Sequence, residues 1–357
     1  MQTMSTTTPT STDESFVAYA RTVRRDVDRR LAEVLEQRIA VAETLAPDVV
    51  QVIDSLRQLA VRGGKRLRAV LLAGAYEACG GEGGSVAVVD AGVALEILQA
   101  YLLVHDDWMD GDDVRRGGPS AHALLRERFG STQQGDAGAI LAGDFGSSLA
   151  LDVLAGMNVP SVRLIEAIRE FGRAQCDVVL GQIMDVRHAA TTEAAVEAMH
   201  RLKTGSYTVR GPMLIGACLA GASKEIRAGL ADVADPLGIA FQLRDDLLGT
   251  FGDPAKTGKP ASSDLREGKR TALIIELEKD REAARMLPRV LGVADAPDEE
   301  VAAVVRRMVD SGAKGRVEAR IGKLLDESRE RLGRLPLQAE GKAVLMGAVA
   351  ALGSRDT

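Results

Sequence analysis

Apolar residues recur at three- and four-residue steps almost from end to end of this chain, and that spacing constrains the fold more than any other feature. Between about residues 16 and 45, Val23, Val27, Leu31, Val34, Leu35 and Ile39 keep the step, with Arg and Glu between them. Such a stripe covers one face of a helix, which must then be buried against a neighbour. Pro47 suits the first turn of a second helix, which ends near residue 62 at Gly63 and Gly64. Further helices are expected at about 66–79, 85–109, 120–129, 135–156, 161–187, 193–204, 208–221 and 224–250. After a Gly-, Pro- and Lys-rich loop at about 252–270, helices resume at about 271–282, 298–333 and 338–352. No alternating strand pattern competes, and aromatic residues are only 3% of the chain. The expected fold is all-α, a single large helical bundle whose ligand site lies in a central cavity between facing helices.

With 46% hydrophobic residues over 357 positions, the chain can bury a core without disulfides or structural metals. The polar stretch 1–14 has neither the basic nor the apolar region of a secretory signal, so it is expected to be a disordered tail before a helical domain over 15–357. Cys79, Cys176 and Cys218 are odd in number and widely spaced, which argues against a disulfide framework and for a cytoplasmic protein. Gly, Ser, Gln or charge interrupts every apolar run before it reaches the roughly 18 residues of a membrane span, so no transmembrane segment is expected. Forty-five Lys and Arg face 51 Asp and Glu, and no basic arm is present, which excludes a nucleic-acid binder. Phosphates, if bound, must enter a pocket.

The strongest local feature is LLVHDDWMDGDDVRRGG, with Asp106, Asp107 and Asp110 at the end of an apolar helix. Asp106 and Asp110 are one turn apart, with Asp107 beside them. Like charges this close repel unless a cation sits among them, and hard oxygen donors suit Mg²⁺ shared with substrate phosphates. A solvated acidic helix end is the alternative. A second pair, Asp245 and Asp246, ends another largely apolar run, with Gln242 three residues before Asp245. Two carboxylates there are costly unless paired or metal-bound; here too a surface helix end is the other reading.

Basic residues accompany both acidic clusters. Gly63-Gly64-Lys65-Arg66-Leu67-Arg68 opens a helix, whose free N–H groups favour an anion, and Lys65 and Arg68 are expected on one face. Arg115 and Arg116 follow the first acidic cluster, and Lys256, Lys259 and Lys269 follow the second. A diphosphate held through both metal and cations needs this adjacency.

On these residues the chain resembles the trans-isoprenyl diphosphate synthases of the polyprenyl synthetase family, most of all those making geranylgeranyl diphosphate. The two aspartate-rich motifs match Asp106-Asp107-Trp108-Met109-Asp110 and Asp245-Asp246-Leu247-Leu248-Gly249, and Gly249 departs from the third acidic residue that many members carry. The resemblance implies the isoprenoid synthase type of bundle and metal contacts at Asp106, Asp107, Asp110, Asp245 and Asp246, with three Mg²⁺ ions. It implies that Arg115, Lys203 and Lys259 contact the diphosphate of an allylic substrate. Gly64, Lys65, Arg68, Gln99 and Arg116 match positions that hold isopentenyl diphosphate. Thr204 and Gln242 match positions near the developing allylic cation, and Asp264 and Lys269 match a loop that closes over the metals. The family is commonly homodimeric.

Ionisation, condensation and elimination require no protein nucleophile: cations stabilise the departing diphosphate, and a dry pocket protects the carbocation. His105, His122, His188 and His200 are scattered and are read as structural or surface residues. Product length in this family follows pocket depth, and an aromatic Tyr101 with an aliphatic Leu102 resembles enzymes that make geranylgeranyl rather than farnesyl diphosphate. At about 100° per residue, Leu102 lies roughly 40° from Asp106 around the helix but Tyr101 about 140°. A class I terpene cyclase is a competing reading; it needs no second diphosphate site, so Lys65, Arg68 and Gln99 argue against it.

Overall fold

The computed structural model describes residues 11–252 and 263–353 of the chain. Helix α1 (Ser11–Glu43) begins inside the stretch expected as a polar tail and buries Val27, Leu31, Val34 and Leu35, the stripe read from the sequence. It is followed by α2 (Pro47–Val61), α3 (Leu67–Ala78), α4 (Val86–Asp110), α5 (Ala121–Phe129), α6 (Thr132–Ala155) and α7 (Ser161–Val186). Helix α6 starts three residues earlier than expected because Ser131 caps it, its hydroxyl accepting from the Gln134 N–H.

The expected break between residues 204 and 208 does not occur. Helix α8 (Glu193–His200) runs into a π-helical segment, Arg201–Arg210, and then into α9 (Gly211–Ala220). Gly205 serves close approach instead of a turn: a Cβ on Gly238 of α10 (Lys224–Phe251) would lie 2.6 Å from the Gly205 Cα. The expected helix over 298–333 is two, Asp298–Asp310 and Ala313–Arg334, because Gly312 at φ +76° turns the backbone left-handed between them. The expected helix over 271–282 is likewise shorter, Ala272–Leu277, with Ala283–Met286 beyond it.

One small ribbon interrupts the helices. Strands β1 (Val114–Arg115) and β2 (Gly118–Pro119) pair antiparallel, Val114 opposite Pro119 and Arg115 opposite Gly118. Arg116 at φ +52° and Gly117 at φ +72° form the turn, both left-handed as a tight two-residue hairpin requires. Two residues per strand are too few for alternation to show in sequence.

Two large apolar clusters fill the interior. One gathers Leu31, Leu56, Leu72, Leu95, Leu98 and Phe171; the other gathers Leu71, Val233, Leu237, Leu247, Leu273 and Leu324. Helix α3 joins them, with Leu72 in one and Leu71 in the other. Helices α4 and α6 are, by length and composition, apolar enough to cross a membrane, which the sequence reading did not foresee. They pack together instead. A Cβ on Gly146 of α6 would lie 2.9 Å from the Tyr101 Cβ, and one on Gly143 would collide with His105, so these glycines admit two large α4 side chains. That packing fixes the last two turns of α4, which carry the aspartates.

Candidate active site

Asp106 and Asp110 share a face of α4, and each meets a lysine from another element. Lys203 of the π-helical segment lies 3.2 Å from Asp106 and also bonds Asp185 of α7. Gln182, one turn before Asp185, donates to the same Asp106 oxygen at 3.0 Å. Lys269 stands 3.6 Å from Asp110, 3.8 Å from Asp264 and 2.7 Å from Glu267. These lysines offset the like-charge repulsion of the motif. Burial alone would raise the Asp106 carboxyl, but Lys203 and Arg115 outweigh it and hold the group below the usual range. At Asp110, burial and the charge of Asp106 win, and the carboxyl is raised. Lys203 and Lys269 keep their protons: burial disfavours the charge, yet the surrounding carboxylates push both amines above their ordinary range.

Asp107, expected among the metal ligands, is turned the other way. It is fully buried and pairs with Arg115, whose Nε donates to it at 2.6 Å while the same guanidinium reaches Asp112 at 3.3 Å and Asp106 at 3.8 Å. Position i+1 on a helix points about 100° away from i, and here that direction faces the β1–β2 ribbon. Burial pushes its carboxyl up to about 6, despite the arginine.

The second motif is a buried relay. Thr204 donates to the Gln242 carbonyl at 2.6 Å, and the Gln242 amide donates to Asp246 at 2.9 Å. Gln242 thus pairs with the carboxylate four residues on, and Asp245 sits half-buried beside it. His200 Nε2 lies 3.3 Å from Asp246; burial lowers this imidazole to about 4 and drives the Asp246 carboxyl well above its ordinary range. Gly249 leaves room for a neighbour: a Cβ there would stand 2.9 Å from Asp264 Oδ2. A carboxylate from outside the motif therefore occupies the space beside its last position. Lys256 and Lys259 lie outside the described residues.

The basic residues form a second cluster. Helix α3 starts at Leu67, so exposed Lys65 precedes it and does not share a helix face with Arg68, contrary to expectation. The cause is Arg66, a left-handed residue at φ +48° that turns the chain into the helix. Arg68 is buried, donates to the Thr208 hydroxyl at 2.7 Å and stacks 4.4 Å over the Tyr207 ring. Arg116 donates to the Gly63 carbonyl at 2.8 Å. Gly64, at φ +145°, presents bare backbone to that guanidinium, since a Cβ there would be 3.8 Å from Arg116 Nη1. Gln99 is half-buried on α4, two turns before Asp106.

An apolar cavity of about 360 Å³ is lined by Asp106, Lys203, Leu102, Val178, Ile183 and Tyr101 among others. A polar chamber of about 100 Å³ lies on the other side of Lys203 and Thr204, lined by Gln242, Asp246, Asp264 and Lys269 among others. Tyr101 and Leu102 both line the apolar cavity, although helix arithmetic set Tyr101 far from Asp106. Tyr101 packs over Gly146 and meets His105 edge-on, centroids 5.7 Å apart, so the cavity wraps around the helix.

Sequence reasoning missed Gln182, Asp185, Tyr207 and Thr208. Gln182 and Asp185 carry a signal in hindsight, a Gln and an Asp one turn apart after Gly181. A Cβ on Gly181 would lie 2.2 Å from the Lys203 backbone nitrogen, so this glycine brings α7 against the π-helical segment. Nothing in the sequence marks the π-helix, which aligns Lys203, Thr204, Tyr207 and Thr208 toward the two clusters. Such segments recur at functional sites.

Carboxylates balanced by fixed lysines, arginines around a bare backbone loop and an apolar cavity between helices define an all-α transferase that handles diphosphates with long apolar groups. The comparisons identify which. The polyprenyl synthetase family model matches residues 50–308, and the chain belongs to that family. It is a trans-prenyl diphosphate synthase, a transferase. It is 34% identical to the geranylfarnesyl diphosphate synthase of Aeropyrum pernix over 290 residues, covering 79% of this chain and 87% of that one. It is also 34% identical to the (2E,6E)-farnesyl diphosphate synthase of Mycobacterium tuberculosis over 258 residues, 70% of this chain and 68% of that one. The fold matches a geranylgeranyl pyrophosphate synthase from Corynebacterium glutamicum, solved with isoprenyl diphosphate and magnesium, at a TM-score of 0.86 and 30% identity over 95% of this chain and 99% of that one.

Proposed function

We propose that this enzyme condenses isopentenyl diphosphate with dimethylallyl, geranyl and farnesyl diphosphates, and that its main product is geranylgeranyl diphosphate. The observation that carries the reading is the presence of two chemically different anion sites joined by one π-helical segment. Lys203 and Thr204 face the carboxylates, whereas Tyr207 and Thr208 hold Arg68.

The donor set fits magnesium. Among the described residues no three His, Cys, Asp or Glu side chains form a ready-made metal cage. Mg²⁺ needs none, since it commonly binds through one or two carboxylates and completes its shell with water and substrate phosphate. Asp106, Asp110 and Asp245 would hold three ions, which when bound supply positive charge against a departing diphosphate.

The chain's own groups do the rest. Lys203 stays protonated beside Asp106 and places a fixed cation where leaving-group charge develops; Arg115 and Lys259 act with it. Thr204 donates its hydroxyl hydrogen bond to the Gln242 carbonyl, which leaves the lone pairs of its oxygen available to a developing allylic cation. The apolar cavity excludes water from that cation. Lys65, Arg68, Gln99, Arg116 and the Gly64 backbone hold isopentenyl diphosphate within attack distance. Departed diphosphate takes the final proton, so no side-chain base is required. Tyr101 and Leu102 limit chain growth.

We further infer one functional domain from about residue 15 onward, supported by α3 facing both apolar clusters, and a cytoplasmic homodimer. Leu141, Leu151 and Leu180, exposed on α6 and α7 and outside the lining of the apolar cavity, support the dimer. The test supplies dimethylallyl and isopentenyl diphosphates with Mg²⁺. Diphosphate release that requires both substrates supports the reading, and its absence contradicts it.

A further inference from the structure

The segment that carries Lys65 and Arg68, the loop before α3 and that helix's first turn, is held from outside the helix. It is held by Arg66 between them, whose side chain points inward and is 2% exposed. Its Nη1 donates to Glu96 Oε2 at 2.8 Å, its Nε to Asp28 Oδ1 at 2.7 Å and its Nη2 to the Ala60 carbonyl at 2.9 Å. Three elements therefore meet at one guanidinium: α1 through Asp28, the end of α2 through Ala60 and α4 through Glu96. Glu96 is 1% exposed, and among the described residues its Oε1 has no hydrogen-bond partner. A buried carboxylate with a spare oxygen is expensive unless its charge has a use. The backbone shows the same tension, because Arg66 holds a left-handed conformation that side chains disfavour.

We propose that the buried Arg66–Glu96 pair, tied to α1 by Asp28, is the positioning device of the isopentenyl diphosphate site. Glu96 lies one turn before Gln99 on α4 and draws Arg66 down onto that helix. The two cations flanking Arg66 are then directed: Lys65 is set outward before the helix, and Arg68, two residues on, is set on its first turn against Thr208 and Tyr207. Arg116 closes the same loop by bonding the Gly63 carbonyl. Neither Arg66 nor Glu96 touches substrate. The pair fixes the spacing of the cations that do, and it supplies a buried negative charge beneath Lys65, Arg66, Arg68 and Arg116 before a ligand arrives. This inference rests on the assignment of Lys65, Arg68 and Arg116 to isopentenyl diphosphate.

Glu96→Gln and Arg66→Lys test it in the full-length enzyme, with Asp28→Asn as a milder variant that removes only the charge of the α1 arm. The binding probe is the thiolodiphosphate analogue of isopentenyl diphosphate, titrated calorimetrically without allylic substrate. The expected result for Glu96→Gln and Arg66→Lys is a rise of about tenfold or more in Kd for the analogue and in KM for isopentenyl diphosphate. The KM for the allylic substrate and kcat stay within about threefold, and Asp28→Asn shifts the same two quantities less. Equal weakening of both substrates, or unchanged isopentenyl binding in folded variants, overturns the proposal. Should the first two variants not fold, Asp28→Asn alone decides, by the same selectivity. Wild-type binding of the analogue without turnover sinks the synthase reading but leaves the positioning role standing; wild-type turnover with unaltered variants sinks the positioning role alone.

Discussion

On the proposed function, the two charged clusters would meet the same chemical group, a diphosphate, by opposite means. Around Asp106 and Asp110 the chain supplies negative charge and balances it with Lys203 and Lys269, so a diphosphate there would depend on a metal arriving with it. Around Arg68 and Arg116 it supplies positive charge directly and buries one carboxylate, Glu96, beneath. The difference follows from what each diphosphate must do. One has to leave, and divalent charge stabilises it as it goes. The other has only to stay.

Predictions that break or sharpen this contrast run from large to small. Asp106→Ala should lower kcat by about 10³-fold or more, because it removes a metal carboxylate and the partner of Lys203, while binding of the isopentenyl analogue persists. Steady-state kinetics and calorimetry on the same preparation check both halves. Removing divalent ions with a chelator should abolish allylic diphosphate binding yet leave the isopentenyl analogue within about twofold of its Kd, since Arg and Lys need no metal to hold phosphate. Loss of both together would collapse the distinction. Arg68→Ala should raise the KM for isopentenyl diphosphate about 10- to 100-fold, the cost of a charge-assisted contact in a buried site, with a smaller effect on the allylic KM.

These residues also show what was legible in the sequence. The helices could be read because a 3.6-residue stripe is a local pattern. The aspartates at the end of α4 could be read because charge at the end of an apolar run is unusual. What escaped was tertiary. Asp107 looks equivalent to Asp106 on paper, yet α4 points it at Arg115 and buries it. Lys65 and Arg68 were expected on one helix face, and Arg66 prevents this by starting the helix one residue later in a left-handed turn. The π-helical segment left no composition signal; what marks it in the fold is the close approach of Gly205 within it to Gly238 of α10, a contact between distant parts of the chain. Gln182 and Asp185 matter only because Gly181 admits Lys203 beside them.

Gly249 permits a subtler test within the acidic half. Gly249→Asp, which introduces the acidic residue common in the family, should lower activity about tenfold, because it sets a further carboxylate against Asp264, whose Oδ2 lies 2.9 Å from where its Cβ would stand, and like charges repel. Unchanged activity would show that Asp264 can retreat. The smallest effect on rate belongs to Tyr101→Ala. It opens the end of the apolar cavity and should lengthen the products by one or more isoprene units while kcat changes about threefold at most, which chromatography of the hydrolysed products would resolve.

The most direct measurement follows diphosphate release and product length with Mg²⁺, with farnesyl diphosphate alone and then with isopentenyl diphosphate added. Two separate diphosphate sites predict no release from farnesyl diphosphate alone and conversion to geranylgeranyl diphosphate once isopentenyl diphosphate is present. Release from farnesyl diphosphate alone, with a cyclised or dephosphorylated hydrocarbon as product, would contradict the account and make the arginine cluster something other than a second substrate site.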